Sequence, residues 1–505
     1  MNLVVNGSSE AFEGLLARAA VTAERLQRES RLRPGGRIVT ALENTREHVE
    51  LVMAGWRLGL QLVAAAPTVS GPTFAGILAS TTPQAVAVDA TNERLCRVVH
   101  DWTPRTCMVG DVLLGYGENA APGNPAVAGN VAPRPDSLSS DWQAWLAHLP
   151  PAVFYTSGST STAKGVPLHW PRILEKGKAV LGFYGAAPGE RVMPILPLSH
   201  VYGLYGLMGA AALGADCIAL RESSSPAAFA AALADQGATI AVCPPVVGAF
   251  LFGRHGCEAA VRERLRVLAM GGAATSREQA ARIVAALPRT RVYLSYGLAE
   301  TYSTVCCNDV SVPGADLASV GPLRFGAFGE VRDPASGRAL PDGEVGEFCI
   351  GGTIMEGYVG MPGEGFTADG LFRTGDLVRR DASGAYAVTG RLKEMINAGG
   401  LSIFPAEIEE ALKRHPAVAD CGVFGERSGE LEVVWAAVVL RGARGEPEER
   451  VVDQLYDWCR AHLATKMVPR RILVVPAIPR GALGKIARAE LRKLCRSQAR
   501  ALQPT

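Results

Sequence analysis

The sequence predicts an α/β protein: a large N-terminal domain of helix-flanked, mostly parallel sheets with a distorted β region, then a small α+β C-terminal domain. Three observations carry this. Apolar runs of strand length alternate with helical periods as far as Leu294, short strands among Gly and Asp turns follow Val320, and the chain beyond Lys393 has strands and helices of its own. Alternation of the first kind is the pattern of parallel sheets covered by helices. A chain of 505 residues also exceeds what one ordinary core organises.

Taken in order, Glu10 to Arg31 repeats apolar residues at Phe12, Leu15, Leu16, Ala19, Ala23 and Leu26 with a helical period, and Gly35-Gly36 ends it. Arg37 to Leu42 reads as a buried strand. Asn44-Thr45 caps a helix whose apolar face is Val49, Val52, Met53 and Trp56, and Gln61 to Ala66 is a second strand. Leu78 to Val88, Arg94 to Val99, Thr239 to Cys243, Leu265 to Met270 and Arg291 to Leu294 are also expected as strands, separated by Ala-rich helices. Gly117 to Asp136 lacks periodicity and marks a long connection. Glu347 to Gly351, Leu371 to Arg379 and Gly384 to Thr389 form the distorted β region. Pro405 then opens a helix to Lys413, followed by strands Val418 to Phe424 and Leu431 to Leu440 and helices Glu446 to Ala464 and Ala487 to Arg496. The boundary falls at Lys393, giving domains 1–392 and 393–505.

A net charge of +2 with Lys and Arg spread along the chain argues against nucleic acid as the main partner. Eleven cysteines without a C-x-x-C pair indicate reduced thiols in a cytoplasmic protein, and Cys306-Cys307 reads as a pair of small buried hydrophobes. The first residues have no basic segment and meet Glu10 and Glu13, so no signal peptide is expected. Of two uncharged runs, Leu58 to Val88 is broken by prolines and Val201 to Ala215 is too short to span a membrane.

Phe154 to Gly165 reads F-Y-T-S-G-S-T-S-T-A-K-G, too polar and Gly-broken for a core strand. Small residues let backbone N–H groups turn inward, hydroxyls add donors and Lys164 adds charge, so the stretch suits an anion such as phosphate. It is not a Walker loop, because Gly165 follows the lysine. Read alone, it serves equally as a solvated Ser/Thr turn. Met270 to Ala274 and Tyr296 to Thr301 each follow a strand, where ligands of α/β sheets bind. Thr374-Gly375-Asp376 offers an acid to ribose hydroxyls, Arg391 reaches ribose or phosphate, and Glu300 suits Mg²⁺ beside phosphates. Singly, Asp376 also fits an Asx turn, His200 a core histidine and Glu300 a rim acid.

Together these stretches resemble the adenylate-forming superfamily of acyl- and aryl-CoA synthetases, non-ribosomal peptide adenylation domains and luciferases. The resemblance spans residues 35–495 and rests on YTSGSTSTAKG, PLSH, GGAA, YGLAET, FRTGDL, GRLKEMINAGGLSIFPAEIE and PRGALGKIAR in that order. It implies a C-terminal lid rotating about Lys393, with Thr156, Ser157, Gly158, Ser159, Thr160 and Lys164 on the ATP β- and γ-phosphates. Gly272, Ala273, Tyr296 and Gly297 would form the adenine slot, Asp376 and Arg391 would hold the ribose, and Glu300 the Mg²⁺. His200 would stand near the acceptor carboxylate. Lys485 would neutralise charge on the attacking oxygen and the α-phosphate; ahead of a helix, where the dipole disfavours a cation, stability does not explain it.

Departures from the family pattern are Ser161 for Gly, Ala163 for Pro, Leu483 for a small polar residue, Ala299 for the threonine that usually donates to the α-phosphate, and a short N-terminus. Either Thr301 or a backbone group is expected to substitute at Ala299, or activity to be lower.

The implied reaction is ATP-dependent adenylation of a carboxylic acid, aryl or medium acyl, with release of pyrophosphate and transfer to a thiol. The expected pocket is lined by Tyr202, Gly203, Val242, Val246, Gly271 and Ser295, small or apolar apart from Tyr202. CoA is the favoured acceptor, its pantetheine arm passing Gly399-Gly400. The phosphopantetheine of a carrier protein, an amine, and an unusual oxyanion substrate such as nitrite are alternatives. A non-catalytic nucleotide-binding regulator is the alternative of another class.

Overall fold

The computed structural model describes the chain except residues 6, 31, 118–141, 157–163, 196, 221–225, 253–258, 399–400, 429–430, 442–446, 481–485 and 502–505, with backbone alone at 29, 30, 156, 226, 227, 260, 398, 401, 402, 428, 431, 500 and 501. Ser157, Gly158, Ser159, Thr160, Ser161, Ala163, Gly399, Gly400, Leu483 and Lys485, and nearly all of the expected connection from Gly117 to Asp136, lie outside the described residues, as does the side chain of Thr156.

Two sheets organise the N-terminal domain. One has eight strands in the order Ser303–Asp309, Arg291–Leu298, Val267–Met270, Ile240–Cys243, Arg191–Pro194, Asp216–Ala219, Asn2–Val5 and Ser8–Ala11. Its pairs are parallel except at the two edges, where Ser303–Asp309 and Ser8–Ala11 run antiparallel to their neighbours. The other has seven strands, with Ala85–Asp89, Arg37–Ala41, Gln61–Ala64 and Ala152–Thr156 paired in parallel and antiparallel hairpins outside them. One apolar core runs through both, from Leu3 and Leu15 to Trp170, Leu268 and Phe372.

Helices cover the sheets, and local chemistry fixes where they start. Thr45 Oγ1 accepts from the His48 amide to open Arg46–Arg57, and Ser276 accepts from Gln279 to open Arg277–Ala286. Helices Trp170–Phe183 and Val201–Leu213 cross where Gly177 faces Gly209; a Cβ on Gly209 would lie 2.6 Å from the Gly177 backbone, so only glycine permits this approach. The uncharged run from Val201 is thus a core helix, and no described helix is long and apolar enough to cross a membrane.

The distorted β region is an antiparallel sheet of Phe328–Arg332, Val345–Gly351, Phe372–Arg380 and Tyr386–Arg391, irregular between Glu347 and Cys349 and between Leu377 and Val378. A 3₁₀ turn, Leu392–Glu394, leads into the small C-terminal domain. There Val418–Ser428, Leu431–Leu440 and Arg471–Val474 form a sheet against helices Pro405–Lys413, Glu448–His462 and Arg488–Ala501. Its own apolar clusters begin at Ile396 and share no residue with the N-terminal core.

Three expectations are corrected. Leu78 to Thr81 ends the helix Gly71–Thr81, and only Ala85–Asp89 is a strand; Ser70 caps that helix and Pro72 occupies its first turn, so a proline taken as a breaker is a starter. Arg94 to Val99 lies in the helix Glu93–Trp102, capped by Asn92 and burying Leu95 and Val99 at i, i+4. Phe154 to Thr156 and Lys164-Gly165 belong to strands, Thr156 pairing with Lys164, so the irregular stretch is shorter than the composition suggested. All ten described cysteines are free, and burial pushes the Cys307 thiol up to about 12.

Candidate active site

The parallel strands Val267–Met270 and Arg291–Leu298 deliver Gly271-Gly272 and Tyr296-Gly297 side by side at their carboxyl ends. Gly272 has φ +83°, a conformation open to glycine, and a Cβ on Gly271 would lie 2.6 Å from Ser295 Oγ and 3.2 Å from the Tyr202 hydroxyl. Gly297 sits at a bulge where a Cβ would fall 1.9 Å from the Ser303 carbonyl oxygen. These glycines let backbone meet backbone and leave a flat-walled edge beside Tyr296.

Tyr296 connects that edge to the β region. Its hydroxyl donates to Asp376 Oδ2 at 2.7 Å, and Arg391 Nε donates to Asp376 Oδ1 at 2.7 Å. Asp376 and Arg391 are register partners on neighbouring strands, so the sheet presets the ion pair. The Asp376 amide is held by Thr374 Oγ1 at 3.1 Å, which itself donates to the Phe348 carbonyl at 2.8 Å. Burial, and then the Asp376 charge, raise the Tyr296 pKa well above the ordinary phenol value, so this hydroxyl stays a donor. Arg391 Nη2 also reaches Asp376 Oδ2, at 3.4 Å, so the guanidinium spans both carboxylate oxygens. Two residues beyond Arg391, Lys393 has its pKa lowered by burial and then by Arg391.

A second cluster joins Glu300 to Lys164. The Tyr358 hydroxyl donates to Glu300 Oε1 at 2.9 Å, the Lys164 ammonium lies 4.8 Å from the centre of the Tyr358 ring, and Lys164 pairs with Glu364 at 2.7 Å. Burial, and then Glu300, raise the Tyr358 pKa. The Lys164–Glu364 pair is largely solvated and worth ~0–1 kcal/mol, so a phosphate competes with it easily. Sequence reasoning missed Tyr358; its signal was an aromatic residue inside a Gly-rich turn, Gly357 to Gly360.

The remaining site residues divide. Tyr202 and Ser295 approach within 3.3 Å between hydroxyl oxygens, and Ser295 Oγ donates to the Met270 carbonyl. His200 caps the helix Val201–Leu213, its Nδ1 accepting from the Tyr202 amide at 3.1 Å, and Gly203 is buried in that first turn. Val242 is buried in its strand, whereas Val246 is 44% exposed. Ala273 is half-buried. Thr301 does not reach outward: fully buried, its hydroxyl contacts the Leu298 and Ser303 carbonyls at 3.1 and 2.8 Å and accepts from the Leu298 amide at 3.0 Å. That geometry commits the Thr301 hydroxyl to its own turn and not to the place of the threonine missing at Ala299. Tyr205, Ser303 and Thr304, which sequence reasoning did not single out, place further hydroxyls beside Tyr202.

Residues 3–359 match the AMP-binding enzyme family and residues 407–485 the AMP-binding enzyme C-terminal domain. A sulfoacetate–CoA ligase of Cupriavidus necator is 31% identical over 381 residues, covering 74% of this chain and 71% of its own. A feruloyl-CoA synthase of an Amycolatopsis species is 30% identical over 346 residues, 68% of this chain and 69% of its own. The ATP-bound crystal structure of MatB from Rhodopseudomonas palustris superimposes with a TM-score of 0.79 at 23% identity, covering 97% of this chain and 95% of that one, which establishes the shared fold. On the extent of these matches, the chain belongs to the AMP-binding enzyme family, within the adenylate-forming superfamily that its motifs resemble.

Proposed function

We propose that this protein is an AMP-forming acid–CoA ligase. The acid's carboxylate oxygen attacks the α-phosphorus of ATP and pyrophosphate leaves; the sulfur of CoA then attacks the acyl carbonyl and AMP leaves. Membership of the family and the naming of its relatives as CoA ligases support this reading.

The observation that carries it is the buried Asp376 carboxylate, fixed from both sides by Arg391 and Tyr296 at the end of the parallel strands. An acid so placed, with its charge already compensated, receives ribose hydroxyls without moving and orients the nucleotide. Gly271, Gly272, Ala273 and Gly297 give adenine a close backbone wall beside Tyr296, and Lys164 holds the leaving phosphates together with Thr156 and the following Ser/Thr/Gly stretch. Glu300 fits Mg²⁺ as its one protein carboxylate: Tyr358 takes one of its oxygens, and an ion that otherwise binds phosphate and water needs little more. The ion supplies charge neutralisation on the phosphates. His200 orients the acid at the head of its helix. With Thr301 committed to the hairpin turn, backbone N–H groups near Ala299 take over the contact to the α-phosphate. Leu392-Lys393 is the hinge about which the domain 393–505 brings Lys485 to the reacting oxygens, and Gly399-Gly400 admits the pantetheine arm.

A pyrophosphate-release screen across fatty, aryl and amino acids, with and without CoA, tests the function; silence with every acid alongside tight ATP binding overturns it in favour of a nucleotide-binding regulator. Lys485→Ala is expected to lower ATP/pyrophosphate exchange on the order of 100- to 1000-fold while ATP affinity stays within a few-fold. Near-normal exchange in that variant removes Lys485 from the chemistry.

A further inference from the structure

We propose that the acid accepted by this site carries a second hydrogen-bonding group at the end remote from its carboxylate, received by a hydroxyl floor of Tyr202, Tyr205, Ser295, Ser303 and Thr304. This rests on the ligase reading above and names its substrate class: oxygenated acids, such as hydroxylated aryl or ω-hydroxy acyl acids, in place of wholly apolar ones.

The floor follows from three buried hydroxyls. Tyr205, Ser303 and Thr304 are 1%, 2% and 0% exposed, and among the described residues none of their side-chain oxygens has a hydrogen-bond partner of good geometry. They are neighbours: the Thr304 hydroxyl faces those of both Tyr202 and Tyr205, and the Ser303 hydroxyl faces Tyr205. Tyr202 and Tyr205 pack edge to face with ring centres 5.0 Å apart, and Tyr202 reaches Ser295 beside Gly271, where the acid is expected. Buried hydroxyls without partners are costly and rare, so three together mark a place where something polar binds.

The fold holds this floor deliberately. Ser303 has φ +83° and Tyr302 φ +53°, a left-handed backbone that non-glycine residues seldom adopt. Thr301 Oγ1, bonded to Leu298 and Ser303, braces the turn that imposes it. Burial raises the Tyr205 pKa well above the ordinary value, which keeps its proton available for donation. Each hydroxyl can both donate and accept, so the floor suits a neutral hydroxyl, ether or carbonyl oxygen. It contains no carboxylate to receive an ammonium. An apolar chain end would leave the three hydroxyls only their loose contacts with one another.

The test uses the full chain in ATP/pyrophosphate exchange with matched acids: benzoate against 3- and 4-hydroxybenzoate, cinnamate against 4-hydroxycinnamate, hexanoate against 6-hydroxyhexanoate. The oxygenated member of the best-used pair is expected to win in kcat/KM by about tenfold or more, and Thr304→Val and Tyr205→Phe to bring that ratio toward one. Apolar members winning in every pair, or ratios unchanged in both variants, overturns the proposal and assigns the floor to buried water. If exchange is absent with all acids, the ligase reading fails by itself, and thermal shifts with the same pairs still read the floor. A larger shift with the oxygenated member, lost in Thr304→Val, supports it; equal shifts overturn it.

Discussion

Lys176 shows how much one side chain can cost this fold. It is 3% exposed on the helix Trp170–Phe183, and its ammonium donates to the carbonyls of Thr304 and Phe325 at 3.3 and 3.4 Å. Among the described residues no carboxylate pairs with it, and burial alone brings its pKa down from 10.5 to about 8. The folded state therefore holds fewer protons than the unfolded chain between pH 8 and 10.5. Stability gains with rising pH across that window, and the full penalty stands below it. Lys176→Met is expected to be more stable than the parent at pH 7 by about 1–3 kcal/mol, net of the two lost carbonyl bonds. The advantage should shrink as pH rises through the same window, as urea denaturation at pH 7 and 10 would read. A variant less stable at pH 7 would mean that the carbonyl bonds outweigh the buried charge. Nothing in the sequence distinguished this lysine from a solvated one, since its helix neighbours Glu175 and Lys178 are polar too.

Among elements, the crossing between domains is built from two anchors. Arg391 is tied to Asp376 on the N-terminal side, and three residues later Glu394 is tied to Arg488 at 2.9 Å on the C-terminal side. Arg488 also holds Glu409 and the Val423 carbonyl. Only Leu392 and Lys393 lie between the two anchors. Arg488→Met should strand the buried Glu409 without its cation and destabilise the C-terminal domain by about 3–5 kcal/mol. Its unfolding, followed by the fluorescence of Trp435 and Trp458, should then precede that of the rest of the chain; a single transition at the parent's midpoint would refute the anchoring role.

Legibility at this scale followed burial pattern. Ile240–Cys243 and Val267–Met270 were readable because fully buried parallel strands are continuous apolar runs. Glu93–Trp102 was not, because Val98 and Val99 carry a strand preference that the Asn92 cap and packing overrule. Asp376, Arg391 and Tyr296 could be named from motifs, yet their mutual bonds come from sheet register, which no local pattern contains. The hydroxyls of Ser303 and Thr304 were hidden for the same reason: they follow a turn whose left-handed backbone falls on non-glycine residues.

Across the whole molecule, separate cores should produce separate melting. The clusters from Ile396 onward share nothing with the large core that joins both N-terminal sheets. Calorimetry of the full chain is therefore expected to show two transitions, with saturating ATP moving chiefly the one that belongs to the N-terminal domain. One cooperative transition, shifted as a unit, would instead mean that the domains unfold together. The order of the eight-stranded sheet adds a matter of timing. Asn2–Val5 pairs with Asp216–Ala219, and the Asn2 amide bonds Asp216 across 214 residues of sequence. At synthesis rates of about 5–20 residues per second, Asn2–Val5 waits some 10–40 s for its partner. Meanwhile the seven-stranded sheet, residues 37–168, has time to form. A nascent chain thus carries an idle apolar strand through much of its own manufacture, and anything that captures it in that interval competes with its pairing to Asp216–Ala219.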